Sequence, residues 1–234
     1  MGMLEKFRPS RNEIVQARTA LEEAREGRPD GGAIDRLVRM VMSVGIDGKG
    51  PFRSATAVAE RALAQADGNT EKAVHAVTSS AIRWGAVGGF ATGLGGFVTM
   101  PVALPANLLE FYVQATRMVA AVATLRGYDI SRPEVRTAVM LTLVRSDAED
   151  VLAKAGIPTA TGRMASFALK RLPASALMLV NKAIGFRLLR GVGERFLTRL
   201  GRGLPFVGGI VGGMLDAWMM HLIGAAARRQ LPPH

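Results

Sequence analysis

Glu71 and His75 stand four residues apart, so a helix would place a carboxylate and an imidazole on one face. Two ligands do not close a metal coordination sphere. A surface pair near a helix start explains them without metal. Asp147, Glu149 and Asp150 concentrate carboxylates, but at a helix start the macrodipole accounts for them without catalysis. Thiol chemistry is excluded outright: the 234 residues contain no cysteine, which removes disulfides, thiolate nucleophiles and Cys-rich zinc sites. Three histidines leave little for other metal centres. No GxSxG elbow, HExxH helix or dinucleotide fingerprint occurs. The glycine-rich stretch Gly45–Pro51 holds Lys49, yet no Ser or Thr follows it and no strand precedes it, so it lacks phosphate-loop spacing. Gly191-Val192-Gly193 likewise lacks a strand context. The expectation is a chain with no catalytic residue, no metal and no cofactor, and an enzyme only if its site is unfamiliar.

What remains is binding chemistry. The net charge is +11, from 30 Lys+Arg against 19 Asp+Glu. Most of the excess falls after residue 162, where only Glu194 and Asp216 are acidic. A near-neutral body with a basic end points to a local anionic partner. Between Phe186 and Arg202 the residues Phe186, Leu189, Val192, Phe196, Leu197 and Leu200 gather on one helical side. Arg187, Arg190, Arg195, Arg199 and Arg202 take the other. A basic amphipathic helix suits an anionic membrane surface, where each basic residue contributes about 1 kcal/mol. Arg163, Lys170, Arg171 and Lys182 extend the same candidate lipid-surface set. Aromatics are not interleaved with these arginines and no groove-reading motif is present, so nucleic acid is not the expected partner.

The elements that carry these residues all read as helices, since strand alternation and hairpin turns are missing. Ser10 with Glu13 opens a first, mostly polar helix that ends near Gly27. A second apolar periodicity runs through Ile34, Leu37, Val38, Val41 and Met42. Residues 1–49 are expected to form a helical arm and 50–234 a single all-α domain, with the boundary in the Gly45–Pro51 loop. Ser54 and Asn69 are candidate caps for two successive helices. Pro105 suits the first turn of a helix ending at Gly127, and Ser131 to Glu134 forms a capping box for the next. Met1–Glu13 is polar with no apolar secretory core, so a cytoplasmic location is expected.

Two segments stand apart. Trp84–Leu109 contains no charged residue. Leu204–Ala227 is interrupted only by Asp216 and His221. At helical spacing Gly85, Gly89, Gly93 and Gly96 share one face, opposite Val87, Phe90, Leu94, Phe97 and Val98. Gly209, Gly212, Gly213 and Asp216 share another, opposite Ile210, Val211, Met214, Trp218 and Leu222. Glycine costs about 1 kcal/mol per helical position relative to alanine, so the smooth faces need close helix packing to compensate. The expected architecture is a helical bundle with two glycine-rich apolar helices at its centre. Pro101 and Pro105 argue against a straight membrane span in favour of a surface-docked or re-entrant pair.

Asp216 on a smooth face needs a cation or donors. Asn107, Glu110, Gln114, Arg117 and Thr124 form a polar stripe on the helix after Pro105. A buried network is therefore expected, with Asp216 pairing Arg117 or Glu110 meeting His221.

The blocks Gly88–Phe97, Pro101–Leu108 and Gly127-Tyr128-Asp129, followed by Leu204–Gly213, resemble the bacterial EcsC family over roughly residues 50–229. That resemblance implies a helical fold and a membrane-linked setting near a transporter, and supplies no catalytic residue. The expected function is a non-enzymatic protein at the inner face of the cell membrane. Its expected partners are anionic lipid and a membrane protein. The alternatives are a soluble helical protein holding a lipid or apolar ligand in its core, and an unrecognised hydrolase.

Overall fold

The computed structural model describes residues 31–49, 52–94, 96–144, 180–181, 183–185 and 205–233. Among them every regular element is helical and no strand occurs, so the fold is all-α, a packed helix bundle. In chain order the helices are α1 (Gly31–Met42), a π-helical turn (Ser43–Asp47), α2 (Ala55–Gln65) and α3 (Thr70–Leu94). They are followed by α4 (Gly96–Leu125), α5 (Pro133–Val144) and α6 (Pro205–Gln230). Val180, Asn181, Ala183, Ile184 and Gly185 are also helical, and Val180 and Ile184 are fully buried in the core.

Local chemistry starts these helices. Ser54 Oγ accepts a hydrogen bond from the Ala57 amide at 3.2 Å and caps α2. Asn69 Oδ1 accepts from the Lys72 amide at 2.9 Å and caps α3. Between them Asp67 and Gly68 take positive φ, 51° and 77°, which gives the chain its tight reversal. α5 begins at Pro133, one residue later than a cap at Ser131 would place it, and ahead of it Asp129 Oδ1 accepts from the Ser131 amide and hydroxyl in a turn.

α4 is apolar enough to be buried on nearly all sides. From Met118 to Ala123 no residue exceeds 2% exposure. It packs against α1 and its π-helical turn, α2, α3, α5 and α6. Its alanines let those neighbours approach closely. The largest helix–helix interface among the described elements joins α3 to α6.

Two expectations change, and the segment expected as an arm shares the core: Val38, Val41, Val44 and Ile46 belong to it. A methyl placed on Gly45 would stand 2.8 Å from Thr116 Cβ. The apolar stripe of α1 has a partner in α4, so Gly31–Asp47 is part of the bundle. The loop expected from Gly45 is helical to Asp47 because the α1 spiral continues with a wider turn. Finally, Trp84–Leu109 is not one helical run broken at Pro101 and Pro105. α3 ends at Leu94 and α4 begins at Gly96, so both prolines lie within the α4 backbone. Gly85 and Gly89 belong to α3, and Gly96 is the first residue of α4.

Candidate functional site: a glycine-zipped helix pair and its buried carboxylates

α3 and α6 meet backbone to backbone. A methyl built on Gly89 would lie 2.5 Å from the Gly212 carbonyl oxygen and 2.6 Å from Asp216 Oδ2. One on Gly213 would lie 2.8 Å from the Ala86 carbonyl oxygen, and one on Gly85 would lie 3.4 Å from the Asp216 carbonyl oxygen. Any side chain at Gly89 or Gly213 would force the helices apart. This is the close approach that compensates glycine's poor helix propensity. Gly209 is buried on the same helix. Gly93 lies in the last turn of α3, and of its packing, as of Gly96, nothing is described.

With the smooth sides together, the bulky sides face outward. Trp84, Val87 and Phe90 on α3 are exposed, as are Ile210, Met214, Leu215 and Trp218 on α6. Met214 is 68% exposed and Trp218 60%. Phe90 lies at the seam, its Cβ 3.4 Å from where a Gly213 methyl would stand, and so it joins the two rows. Both tryptophans of the chain stand on this surface. Seven exposed large apolar side chains on two packed helices are more than the singly scattered apolar residues usual on a soluble surface. His221 is exposed and stacks on Trp218, ring centroids 6.3 Å apart.

Behind the seam lies a small cleft lined by Trp84, Gly85, Gly88, Glu110, Phe111, Gln114, Asp216 and Met220. Its volume of about 10 Å³ admits one water. Asp216 is 3% exposed. Glu110 is partly buried, and that burial raises its pKa above the ordinary 4.5. The Gln114 amide, donating to Glu110 Oε1 at 3.5 Å, and the Arg117 charge oppose the rise, while Asp216 adds to it.

Among the described residues the contacts of Arg117 and His221 lie elsewhere than the expected pairs. Arg117 lies over the Phe52 ring, guanidinium carbon 4.7 Å from the centroid, and its charged neighbour is Glu110 on its own helix. Its Nε and Nη2 are buried with no hydrogen-bond partner among the described residues. Burial draws its pKa down to about 10. His221 points to the outer surface, away from Glu110. Thr124 satisfies itself by donating to the Ala120 carbonyl at 3.0 Å. The Asn107 side chain lies outside the description. So do Arg163, Lys170, Arg171, Lys182, Arg187, Arg190, Arg195, Arg199 and Arg202.

Sequence reasoning missed Arg126. Its side chain is buried at the end of α4, and Nη1 donates to the carbonyls of Arg228 and Leu231, both at 2.7 Å. Nη2 donates to both Glu71 carboxylate oxygens, at 3.1 and 3.3 Å. Glu71 is therefore a salt-bridge partner of Arg126, while His75 Nδ1 lies 3.5 Å from Ser79 Oγ. The available signal was an arginine immediately after the long, largely apolar run Met118–Leu125 that closes α4. Among the described residues no cluster of three or more potential metal ligands occurs. The chain matches no protein-family model, no curated protein and no solved structure, so the geometry above carries the functional reading.

Proposed function

We propose that this chain is a non-enzymatic peripheral protein of an anionic membrane surface, docking through the outer face of the α3–α6 pair. The observation that carries the reading is that face itself: seven exposed large apolar residues on two helices held together by backbone contact. Tryptophans favour the boundary between headgroups and acyl chains, where an apolar body and a polar N–H are both accommodated. From Trp84 onward α3 bears no charge, and the one carboxylate of α6 is turned inward. Arg83 on α3 and Arg229 on α6 are exposed and supply cations. The net charge of +11 favours an anionic leaflet over a neutral one.

α6 has the length and mean hydropathy of a membrane span from Gly209 to Gln230, but its inward side is committed to α3 and α4. A pair lying in the interface plane keeps those contacts, and a straight span of α6 alone would break them. The basic residues from Arg163 to Arg202 belong to the same proposal as the electrostatic component. The EcsC-like blocks accord with a membrane-linked setting at the inner face of the cell membrane, beside a membrane-protein partner such as a transporter. The alternative of a lipid held in the core is less favoured by the described part, because the cleft at Glu110 takes one water and no acyl chain. The same size limit disfavours a hydrolase working from Glu110 and Asp216.

The test is co-sedimentation with vesicles of equimolar phosphatidylglycerol and phosphatidylcholine, read together with tryptophan fluorescence. Binding with a blue shift is expected, weakened but not abolished by high salt. Met214→Asp and Trp218→Ser, both at exposed positions, should each reduce binding by about tenfold while leaving the fold intact. Wild-type binding that vanishes entirely in salt, or variants that bind unchanged, would remove the proposed face from the account.

A further inference from the structure

The cleft and the outer face share a wall. Trp84 lines the cleft with Glu110 and Asp216, and the same indole is 48% exposed on the docking surface. Whatever covers Trp84 therefore also withdraws water from the carboxyl groups behind it. Of these, Asp216 is already buried and held against the Gly89 backbone, so covering changes its surroundings little. Glu110 keeps some exposure and is the carboxyl whose solvation depends on the open cleft.

We propose that docking of the α3–α6 face is proton-linked through Glu110, whose carboxylate takes up one proton from the medium as the membrane closes over Trp84. This rests on the docking reading above and adds its regulation. The charged groups that face Glu110 among the described residues are few. Its own helix supplies Arg117, and α6 supplies Asp216. α3 brings only Trp84, Gly85 and Gly88 to the cleft. Arg117 is the sole cation of the three and is engaged with Phe52. A nearby carboxylate and loss of water both disfavour the ionised form of Glu110. Burial has already begun this in the free protein, and docking continues it in the same direction. The sign follows: binding tightens as pH falls, because the docked state holds the proton more firmly than the free state. The negative surface potential of the leaflet concentrates protons at the same place and acts in the same sense.

The experiment measures the apparent Kd of the full chain for equimolar phosphatidylglycerol–phosphatidylcholine vesicles at steps between about pH 5 and about pH 8. One linked proton gives at most about a tenfold change per pH unit. The expected result is tightening of several-fold per unit within part of that range in wild type. Glu110→Gln should bind tightly and without that dependence. His221→Asn, removing the imidazole of the outer face, should keep it. Direct proton uptake on mixing wild type with vesicles, followed with an indicator dye in weak buffer, supplies a readout that needs no variant. Binding of equal affinity at every pH, with no proton taken up, would overturn the linkage and leave the docking reading standing. A dependence lost in His221→Asn and kept in Glu110→Gln would overturn it in favour of imidazole charging. Failure to bind at any pH would overturn the docking reading and the linkage together.

Discussion

Arg126→Met tests what holds the far end of the helix pair. Methionine keeps the unbranched, buried part of the side chain and removes only the guanidinium. The structure assigns that group four contacts of unequal weight. Two are bonds from Nη1 to the carbonyls of Arg228 and Leu231, each 2.7 Å, at the C-terminus of α6, where helix carbonyls have no partners of their own. A hydrogen bond to a charged donor contributes about 1.5–3 kcal/mol, and a cation at a helix C-terminus gains further from the macrodipole. The other two contacts reach Glu71, whose side chain is 65% exposed, so that ion pair is worth only about 0.2–1 kcal/mol. Against these, Nε is buried without a partner and returns part of the gain. Arg126→Met should therefore cost roughly 3–5 kcal/mol, and Glu71→Gln less than about 1 kcal/mol. At about 2–4 °C per kcal/mol for a chain of this size, the first lowers Tm by roughly 10 °C and the second by a few degrees at most. Thermal and urea unfolding followed by circular dichroism measure both. Equal losses in the two variants would refute the reasoning, because they would place the value of Arg126 in the ion pair and not in the α6 terminus.

The remaining predictions concern the seam and its cleft. Gly89→Ala should destabilise by about 1–3 kcal/mol, despite alanine's better helix propensity, because its methyl meets the Gly212 carbonyl oxygen at 2.5 Å. Gly224→Ala, also on α6 but with its nearest neighbour Thr78 Cγ2 at an ordinary 3.4 Å, should be neutral or stabilising by up to about 1 kcal/mol. Chemical denaturation that gave both the same sign would contradict the backbone-contact account. Glu110 has a folded-state pKa raised by burial above 4.5. Its contribution to stability is thus fully present below 4.5 and is lost as pH rises through the raised value. Glu110→Gln should consequently exceed wild type in stability at neutral pH and lose that advantage on acidification. A variant less stable than wild type at neutral pH would show that the ionised carboxylate is a net stabiliser there.

The sequence by itself determined that the chain is helical, where α2 and α3 begin, and which sides of the apolar segments are smooth. These properties are local. A cap joins residues three apart, and a face is set by the 3.6-residue repeat, so Ser54, Asn69, Gly85, Gly89, Gly212 and Gly213 disclose their roles within a few turns. The inward position of Asp216 follows from the same repeat, since it shares the glycine face of α6. Only the tertiary structure decided what each face meets. Gly89 lies against Gly212 across more than a hundred residues, and Arg126 reaches carbonyls at 228 and 231. Arg117 meets Phe52 in the loop before α2, while Glu110 and Gln114 of the same stripe line the cleft with Asp216 of α6. Likewise, nothing in a helical repeat tells whether its bulky side is turned to protein or to solvent. That depends on which neighbours the bundle supplies, and around Trp84, Met214 and Trp218 it leaves them exposed.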